Sequence, residues 1–146
     1  MEWHIRTVVV GIDGSEASKR AAAHGVAIAR HWGATVKLVT VVRPPEGWWG
    51  IGGAPPSPEA LATALVEGRQ QVLAEAENEL DLEGLEYQSV EELGDPVARI
   101  LAVCEANDAD LLVIGRRGAG FAERMLLGST ADRLTHLAEC PVMVVP

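Results

Sequence analysis

The sequence is poor in cysteine, in aromatic residues and in positive charge. Its 146 residues include two cysteines, one tyrosine and one phenylalanine, which is too few thiols for the disulfide framework of a small secreted domain. Twelve basic residues against 21 acidic ones give a formal net charge of −9 at pH 7, and this balance disfavours binding to a nucleic-acid backbone. We therefore expect no nucleic-acid partner. A small anion held by backbone N–H groups stays compatible with the charge.

Long apolar runs are missing as well. No window of 18 residues is apolar without a charge, so we expect no membrane-spanning segment and no membrane partner. The start, Met1 to His4, lacks the basic and apolar regions of a signal peptide. Cys104 and Cys140 lie in separate apolar stretches without metal-ligand spacing, which is typical of buried thiols in a reducing compartment. These features predict one cytoplasmic domain over residues 1–146.

Short apolar runs alternate with helical patterns along the chain. Most of the runs are apolar at nearly every position, as in strands buried on both faces of a sheet, whereas the third is interrupted by polar residues and suits an edge. The strands are predicted over Thr7–Ile12, Thr35–Val42, Leu85–Leu93, Asp110–Gly115 and Val142–Val145, with a helix in each interval. This alternation predicts an α/β fold in which helices cover both faces of a five-stranded parallel sheet.

Two strand ends are candidates for a ligand site: Asp13 follows the first strand, and a glycine-rich segment follows the fourth. In open parallel sheets, ligands bind beyond the carboxyl ends of the strands, where the winding direction reverses. If both ends belong to one site, strands one and four must be neighbours. That condition favours the order 3-2-1-4-5 over 2-1-3-4-5.

The segment after the fourth strand has the composition of a phosphate site. It reads Gly115-Arg116-Arg117-Gly118, then nine residues, then Gly128-Ser129-Thr130. Glycines permit close backbone approach to a phosphate, and hydroxyl and N–H groups at a helix N-terminus favour an anion. The spacing alone leaves another interpretation open, in which the glycines serve turns and Ser129 only caps the last helix.

The same spacing resembles the G-x2-G-x9-G-[S/T] signature of the nucleotide-binding branch of the universal stress protein family. The likeness covers the whole chain, including VVVGIDGSEAS near the start, DLLVIGRRG before the signature and CPVMVVP at the end. It implies a Rossmann-like fold of the adenine nucleotide α-hydrolase type, a homodimer, and binding of ATP, with Mg²⁺ held through the phosphates. The Trp48-Trp49 loop has no counterpart in the family pattern.

The resemblance also implies roles for individual residues. Asp13 contacts the adenosine and Val41 lines the adenine pocket, although Asp13 before Gly14-Ser15 also suits a plain turn former. The ribose and phosphates are held by Gly115, Gly118, Gly128, Ser129 and Thr130. The candidate site is completed by Gly11, Ile12, Ile114, Arg116 and Arg117, where solvation of the two arginines is the alternative to a phosphate contact. No catalytic residue is predicted, because no carboxylate–histidine pairing is evident, and no metal ligand is predicted, because the four histidines are scattered without ligand spacing.

The resemblance implies a cytoplasmic ATP-binding protein that acts as a nucleotide-dependent module of a stress response. The alternative is a slow ATPase or another nucleotide-dependent enzyme of the same fold, for which the sequence offers no G-x4-G-K-[ST] pattern. A phospho-receiver domain is excluded, because the first strand ends in the lone Asp13, the third in Glu91-Glu92-Leu93 and the fifth in Val144-Val145-Pro146.

Two further expectations concern surfaces. Val142–Val145 is an apolar run at a sheet edge, so we expect a homodimer formed through this last strand, with shielding by a neighbouring helix as the alternative. The segment Pro44–Pro58 is rich in proline and glycine and contains Trp48-Trp49. It is predicted to be a lid over the nucleotide or a partner contact, with a disordered insertion as an equal alternative.

Overall fold

The computed structural model describes residues 1–43, 57–117 and 127–146, without the side chains at 60–62, 64–66 and 69. The Trp48-Trp49 loop and Gly118 lie outside the described residues, so the lid prediction is untested. Nine elements follow in chain order: β1 (Thr7–Gly11), α1 (Glu16–Trp32), β2 (Thr35–Val42), α2 (Pro58–Glu79), β3 (Tyr87–Leu93), α3 (Pro96–Ala106), β4 (Leu111–Gly115), α4 (Ser129–Leu137) and β5 (Val142–Val145).

The five strands form one parallel sheet in the order β3-β2-β1-β4-β5. Both the fold class and the strand order predicted from the sequence are confirmed. Val8 of β1 pairs with Val36 of β2 on one side and with Leu111 of β4 on the other. The carboxyl ends of these three strands therefore meet at one edge of the sheet, with β1 in the middle.

Each face of the sheet has its own apolar core. Val8 and Val10 of β1 face α1 and α2, whereas Val9 between them faces α3 and α4. All three valines are completely buried, so the continuous apolar run of β1 reflects burial on both faces. The first core includes Leu38, Ala21, Ala22, Leu73 and Ala76, and the second includes Val39, Val97, Ile100, Leu112 and Leu134.

The outer strands are more exposed than the central ones. All seven residues of β3 are exposed or half-buried, and β3 is the first strand in the order of the sheet, which confirms the prediction of an edge strand. Three of the four residues of β5 are half-buried. In the part of the chain that the structure describes, no helix combines the length and the apolar character needed to cross a membrane.

Candidate functional site

A cleft of about 290 Å³ opens at the carboxyl edge of the sheet, above the ends of β1, β2 and β4. Helices α3 and α4 contribute its side wall. It brings together ten of the twelve residues predicted from the sequence, which are Gly11, Ile12, Asp13, Val41, Ile114, Gly115, Arg117, Gly128, Ser129 and Thr130. Gly118 is outside the described residues, and Arg116 is not among the lining residues.

Asp13 is held in a turn between β1 and α1. Its backbone N–H donates to Ser18 Oγ (3.3 Å), and its Oδ1 accepts from the backbone N–H of Ser15 (2.9 Å). Ile12, one residue earlier, donates its N–H to the carbonyl of Val39 (2.8 Å). These bonds hold the exposed Asp13 carboxylate at the cleft. Asp13 therefore both forms the turn and lines the cleft, and the two roles do not exclude each other.

The start of α1 also belongs to the cleft. Ser15 is the N-cap of the helix, where its Oγ accepts from the Ser18 N–H (3.2 Å), as side-chain caps commonly do. The Ser15 hydroxyl lies 3.5 Å from the Arg117 carbonyl oxygen. The capping serine therefore links the first turn of α1 to the segment that follows β4.

Gly115 is constrained by helix packing. A Cβ at this position would lie 2.8 Å from the Ala17 carbonyl carbon, from Ala17 Cβ and from the Ser18 nitrogen, a distance that side chains do not tolerate. The sequence interpretation attributed this glycine to close approach of a phosphate. The structure gives a second reason for it, because any side chain would push α1 away from β4.

The N-terminus of α4 faces the cleft. Its N-cap is Gly128, with extended dihedral angles (φ −68°, ψ 156°) and no side-chain hydrogen bond to the first turn. Gly128 donates its own N–H to the Arg116 carbonyl (2.8 Å) and accepts from the N–H of Asp132 (2.8 Å). Glycine supplies no capping oxygen of its own, so Gly128 leaves the N–H groups of the first turn to another acceptor, and an anion at the cleft suits them.

The arginines at and around the cleft have different positions. Arg117 lines the cleft, but Arg116 does not, and the backbone N–H of Arg116 donates to the Val145 carbonyl at the end of β5 (2.7 Å). Arg43, which the sequence interpretation missed, lines the cleft from the end of β2. It lies 3.6 Å from Asp95 Oδ1, and Arg133 lies 3.4 Å from the same oxygen.

Asp95 connects this charged group to α3. It is the N-cap of that helix and accepts from the Ala98 N–H (3.0 Å). This hydrogen bond is the largest cause that lowers the pKa of Asp95, with the charges of Arg133 and Arg43 as smaller causes.

The other side of the cleft is apolar. Val39 and Val41 lie two residues apart on β2, so they face the same side of the sheet. Ile100 of α3 and Leu134 of α4 belong to the core on that side. Five of these apolar lining residues were not predicted as site residues: Val39, Pro96, Ile100, Ala131 and Leu134. Val39 could have been predicted, because a residue two positions before Val41 on the same strand faces the same side of the sheet. The four lining residues on α3 and α4 could not have been predicted, because their spacing in the sequence indicates only burial in a core.

Among the described residues, no group of three histidine, cysteine, aspartate or glutamate side chains is arranged to hold a metal ion. The described lining of the cleft offers a carboxylate, hydroxyl groups, helix N–H groups and arginine charge next to an apolar wall.

Comparison with known proteins identifies the family. The model of the universal stress protein family matches residues 4–146. The chain belongs to this family. It is 35% identical over 141 residues to a universal stress protein of Thermus aquaticus, covering 96% of this chain and 98% of that one. It is 33% identical over 147 residues to one of Methanocaldococcus jannaschii, covering 96% and 81%.

Solved universal stress protein structures share the fold. UspA from Lactobacillus plantarum aligns with a TM-score of 0.83 at 20% identity, over 99% of this chain and 100% of that one. A universal stress protein in complex with cAMP aligns at 0.69 with 26% identity, over 98% of each chain. One from Archaeoglobus fulgidus in complex with dAMP aligns at 0.62 with 22% identity, over 99% and 100%.

Proposed function

We propose that this universal stress protein binds ATP in the cleft, with Mg²⁺ held through the phosphates, and that it acts as a nucleotide-dependent module of the stress response in the cytoplasm. One observation carries the proposal: an apolar wall and an uncapped helix N-terminus line the same cleft. A nucleotide has the matching division into a flat apolar base and an anionic phosphate chain.

The base belongs at the β2 side of the cleft. Val39, Val41 and Ile100 offer apolar contact there, and burying a base against them removes apolar area from water. The Asp13 carboxylate, at the end of the neighbouring β1, is an acceptor for the ribose hydroxyl groups. Its bond from the Ser15 N–H holds that acceptor in place before the ligand arrives.

The phosphates belong at the β4 side, next to α4. Gly128 leaves the first-turn N–H groups of α4 uncapped by a side chain, and Ser129 and Thr130 add hydroxyl donors. The positive end of the helix dipole favours an anion at this point. Arg117 adds positive charge to a protein whose net charge is otherwise negative. Phosphate oxygens are hard ligands suited to Mg²⁺, which commonly binds through substrate phosphates with few protein ligands.

The comparisons add independent support for an adenine nucleotide. Two relatives of the same fold were solved in complex with cAMP and with dAMP. Those ligands share the adenine base and a phosphate with ATP. The apolar β2 side of this cleft suits the base, and the α4 N-terminus on the β4 side suits the phosphate.

We also propose a homodimer that pairs the β5 strands of two copies across a two-fold axis. In the strand order, β5 has β4 on one side, and no other described strand pairs with its outer edge. The bonds from Leu112 and Arg116 to the carbonyl groups of Pro141 and Val145 indicate that alternate residues face β4. Residues 142 and 144 therefore direct their backbone groups to the outer edge. Pairing two such edges satisfies these groups.

Mass spectrometry of the small molecules released when purified protein is denatured tests the ligand directly. We expect an adenine nucleotide in near-stoichiometric amount, or, if the protein purifies empty, a rise in melting temperature with ATP and Mg²⁺. A ligand that binds only the native state adds about 2.7 kcal/mol at a hundredfold excess over its Kd. Release of no nucleotide together with no shift for ATP, AMP or cAMP would contradict the proposal.

A further inference from the structure

A second pocket of about 350 Å³ lies away from the nucleotide cleft, and both cysteines line it. Cys104 is on the last turns of α3, and Cys140 lies just before β5. Only 8% of the surface of Cys104 is exposed, and Cys140 is half-buried. Both thiols are free and belong to the same apolar core. Residues from separate apolar stretches of the sequence are thus neighbours in the fold.

The two thiols have different surroundings. Burial, followed by the neighbouring Cys140 thiol, raises the pKa of Cys104 to about 12. Burial also raises the pKa of Cys140, but there the Cys104 side chain and the backbone N–H groups of Cys140 and Leu112 oppose the increase. Cys140 is the less buried of the two thiols and the one whose thiolate has hydrogen-bond donors nearby. Because burial raises the pKa of both thiols, both are mostly protonated at neutral pH, so their oxidation should be slow and should speed up as the pH rises.

The rim of the pocket is acidic. Glu105, Asp108 and Glu139 line it together with the two cysteines. Negative charge repels anionic disulfides such as oxidised glutathione and leaves small neutral oxidants unaffected. Hydrogen peroxide is neutral and small enough to enter a pocket of this size.

We propose that Cys104 and Cys140 form a peroxide-oxidised modification site that closes an intramolecular disulfide. Cys140 is the attacking thiol, because it is the one that the pocket exposes, and Cys104 is the resolving thiol. The product links α3 to the segment that leads into β5.

The chemistry balances with hydrogen peroxide as the oxidant. The Cys140 sulfur attacks one peroxide oxygen, the O–O bond breaks, and the thiol proton leaves with the other oxygen as water. The resulting sulfenic acid is attacked by the Cys104 sulfur, so that an S–S bond forms, the S–O bond breaks, and the hydroxyl leaves with the Cys104 proton as a second water. Two thiols and one peroxide give one disulfide and two waters, and a dithiol reductant reverses the change.

The test is peptide mapping of the full chain after treatment with hydrogen peroxide and alkylation of the remaining thiols. The chain contains no other cysteine, and four arginines separate Cys104 from Cys140, so trypsin places the two residues in different peptides. We expect a linked peptide pair at low protein concentration, two alkylated cysteines after reduction, and a higher melting temperature for the oxidised chain, because a disulfide restricts the unfolded state.

Single variants test the order of the steps. Cys104→Ala should accumulate sulfenic acid at Cys140, detected as a dimedone adduct, whereas Cys140→Ala should react with peroxide at least tenfold more slowly than the native chain. Equal reactivity of the two variants would overturn the assigned roles. An intermolecular disulfide as the main product, or two free thiols after prolonged peroxide treatment of the native chain, would overturn the site itself.

Discussion

Gly115 of β4 and Ala17 of α1 are in direct contact, and the space for a side chain between them is absent. A Cβ on Gly115 would lie 2.8 Å from two Ala17 atoms. This contact sets how closely the N-terminal turn of α1 approaches the end of β4. It therefore fixes the distance between the Asp13 turn and the segment that begins with Arg116.

The substitution Gly115→Ala should accordingly lower the free energy of unfolding, by about 1–3 kcal/mol, the usual cost of overpacking a core. Gly68→Ala is the matched control. Gly68 is exposed in α2 with no described atom within 4 Å of a Cβ, so alanine should stabilise that helix by about 0.5–1 kcal/mol. Urea unfolding followed by circular dichroism measures both. Equal stability of the Gly115→Ala and native chains would show that α1 can shift freely.

Gly128→Ser tests the uncapped N-terminus of α4. The dihedral angles of Gly128 suit any residue, and serine caps a helix slightly better than glycine, by a few tenths of a kcal/mol. The variant should therefore fold as stably as the native chain or slightly more so. Its hydroxyl competes with phosphate for the first-turn N–H groups, so we expect severalfold weaker ATP binding by isothermal titration. Binding unchanged from the native chain would argue against phosphate contact at these groups.

Asp95 has two separable roles, as the cap of α3 and as the partner of Arg43 and Arg133. Asp95→Ala should cost about 1 kcal/mol through the lost cap, whereas Asp95→Asn keeps a capping oxygen and should cost less. Because the native fold lowers the pKa of this carboxyl, its contribution is complete above the ordinary aspartate pKa. The contribution is lost as the pH falls through the lowered value.

The difference in stability between the native chain and Asp95→Ala should therefore shrink in strongly acidic buffer, as measured by thermal unfolding from neutral to low pH. A difference that grows on acidification would contradict the lowered pKa.

The thiols should alkylate in a defined order under native, reducing-agent-free conditions. Burial raises the pKa of Cys104 to about 12, so iodoacetamide should label Cys140 first, and both rates should rise with pH because the thiolate is the reacting form. Mass spectrometry of quenched samples gives the rate at each residue. Faster labelling of Cys104 at neutral pH would show that it is more exposed than in this structure.

Much of the fold was predictable because burial leaves a clear pattern in the sequence. The apolar runs of β1 and β4 indicate strands covered on both faces. The order of the strands followed from assigning Asp13 and the glycine-rich segment to one site, because that assignment requires β1 and β4 to be neighbours. The predicted bounds are close to those observed, although β3 begins at Tyr87 and not at Leu85. Leu85 lies before the strand, in a turn where its N–H donates to the Leu82 carbonyl (3.1 Å).

The site was less predictable wherever a residue acts through tertiary contact. Arg43 lines the cleft only because β2 ends beside β1, and Ile100 does so only because α3 packs over that edge. Arg116 and Arg117 are adjacent in sequence, yet only Arg117 lines the cleft while Arg116 bonds to β5. The proximity of Cys104 and Cys140 is likewise a product of the fold, since no local pattern links them.

Isothermal titration with ATP and Mg²⁺ of the native chain and of two variants at Ser129 is the most direct test of the nucleotide site. Ser129→Asp places a carboxylate in the first turn of α4, where the helix dipole tolerates it but phosphate is repelled. Ser129→Asn has nearly the same shape without the charge. We predict a loss of at least about tenfold in affinity for the aspartate variant, equivalent to about 1.4 kcal/mol, and a much smaller loss for the asparagine variant. Equal affinity of all three chains for ATP, or no binding by the folded native chain, would contradict a phosphate site at α4.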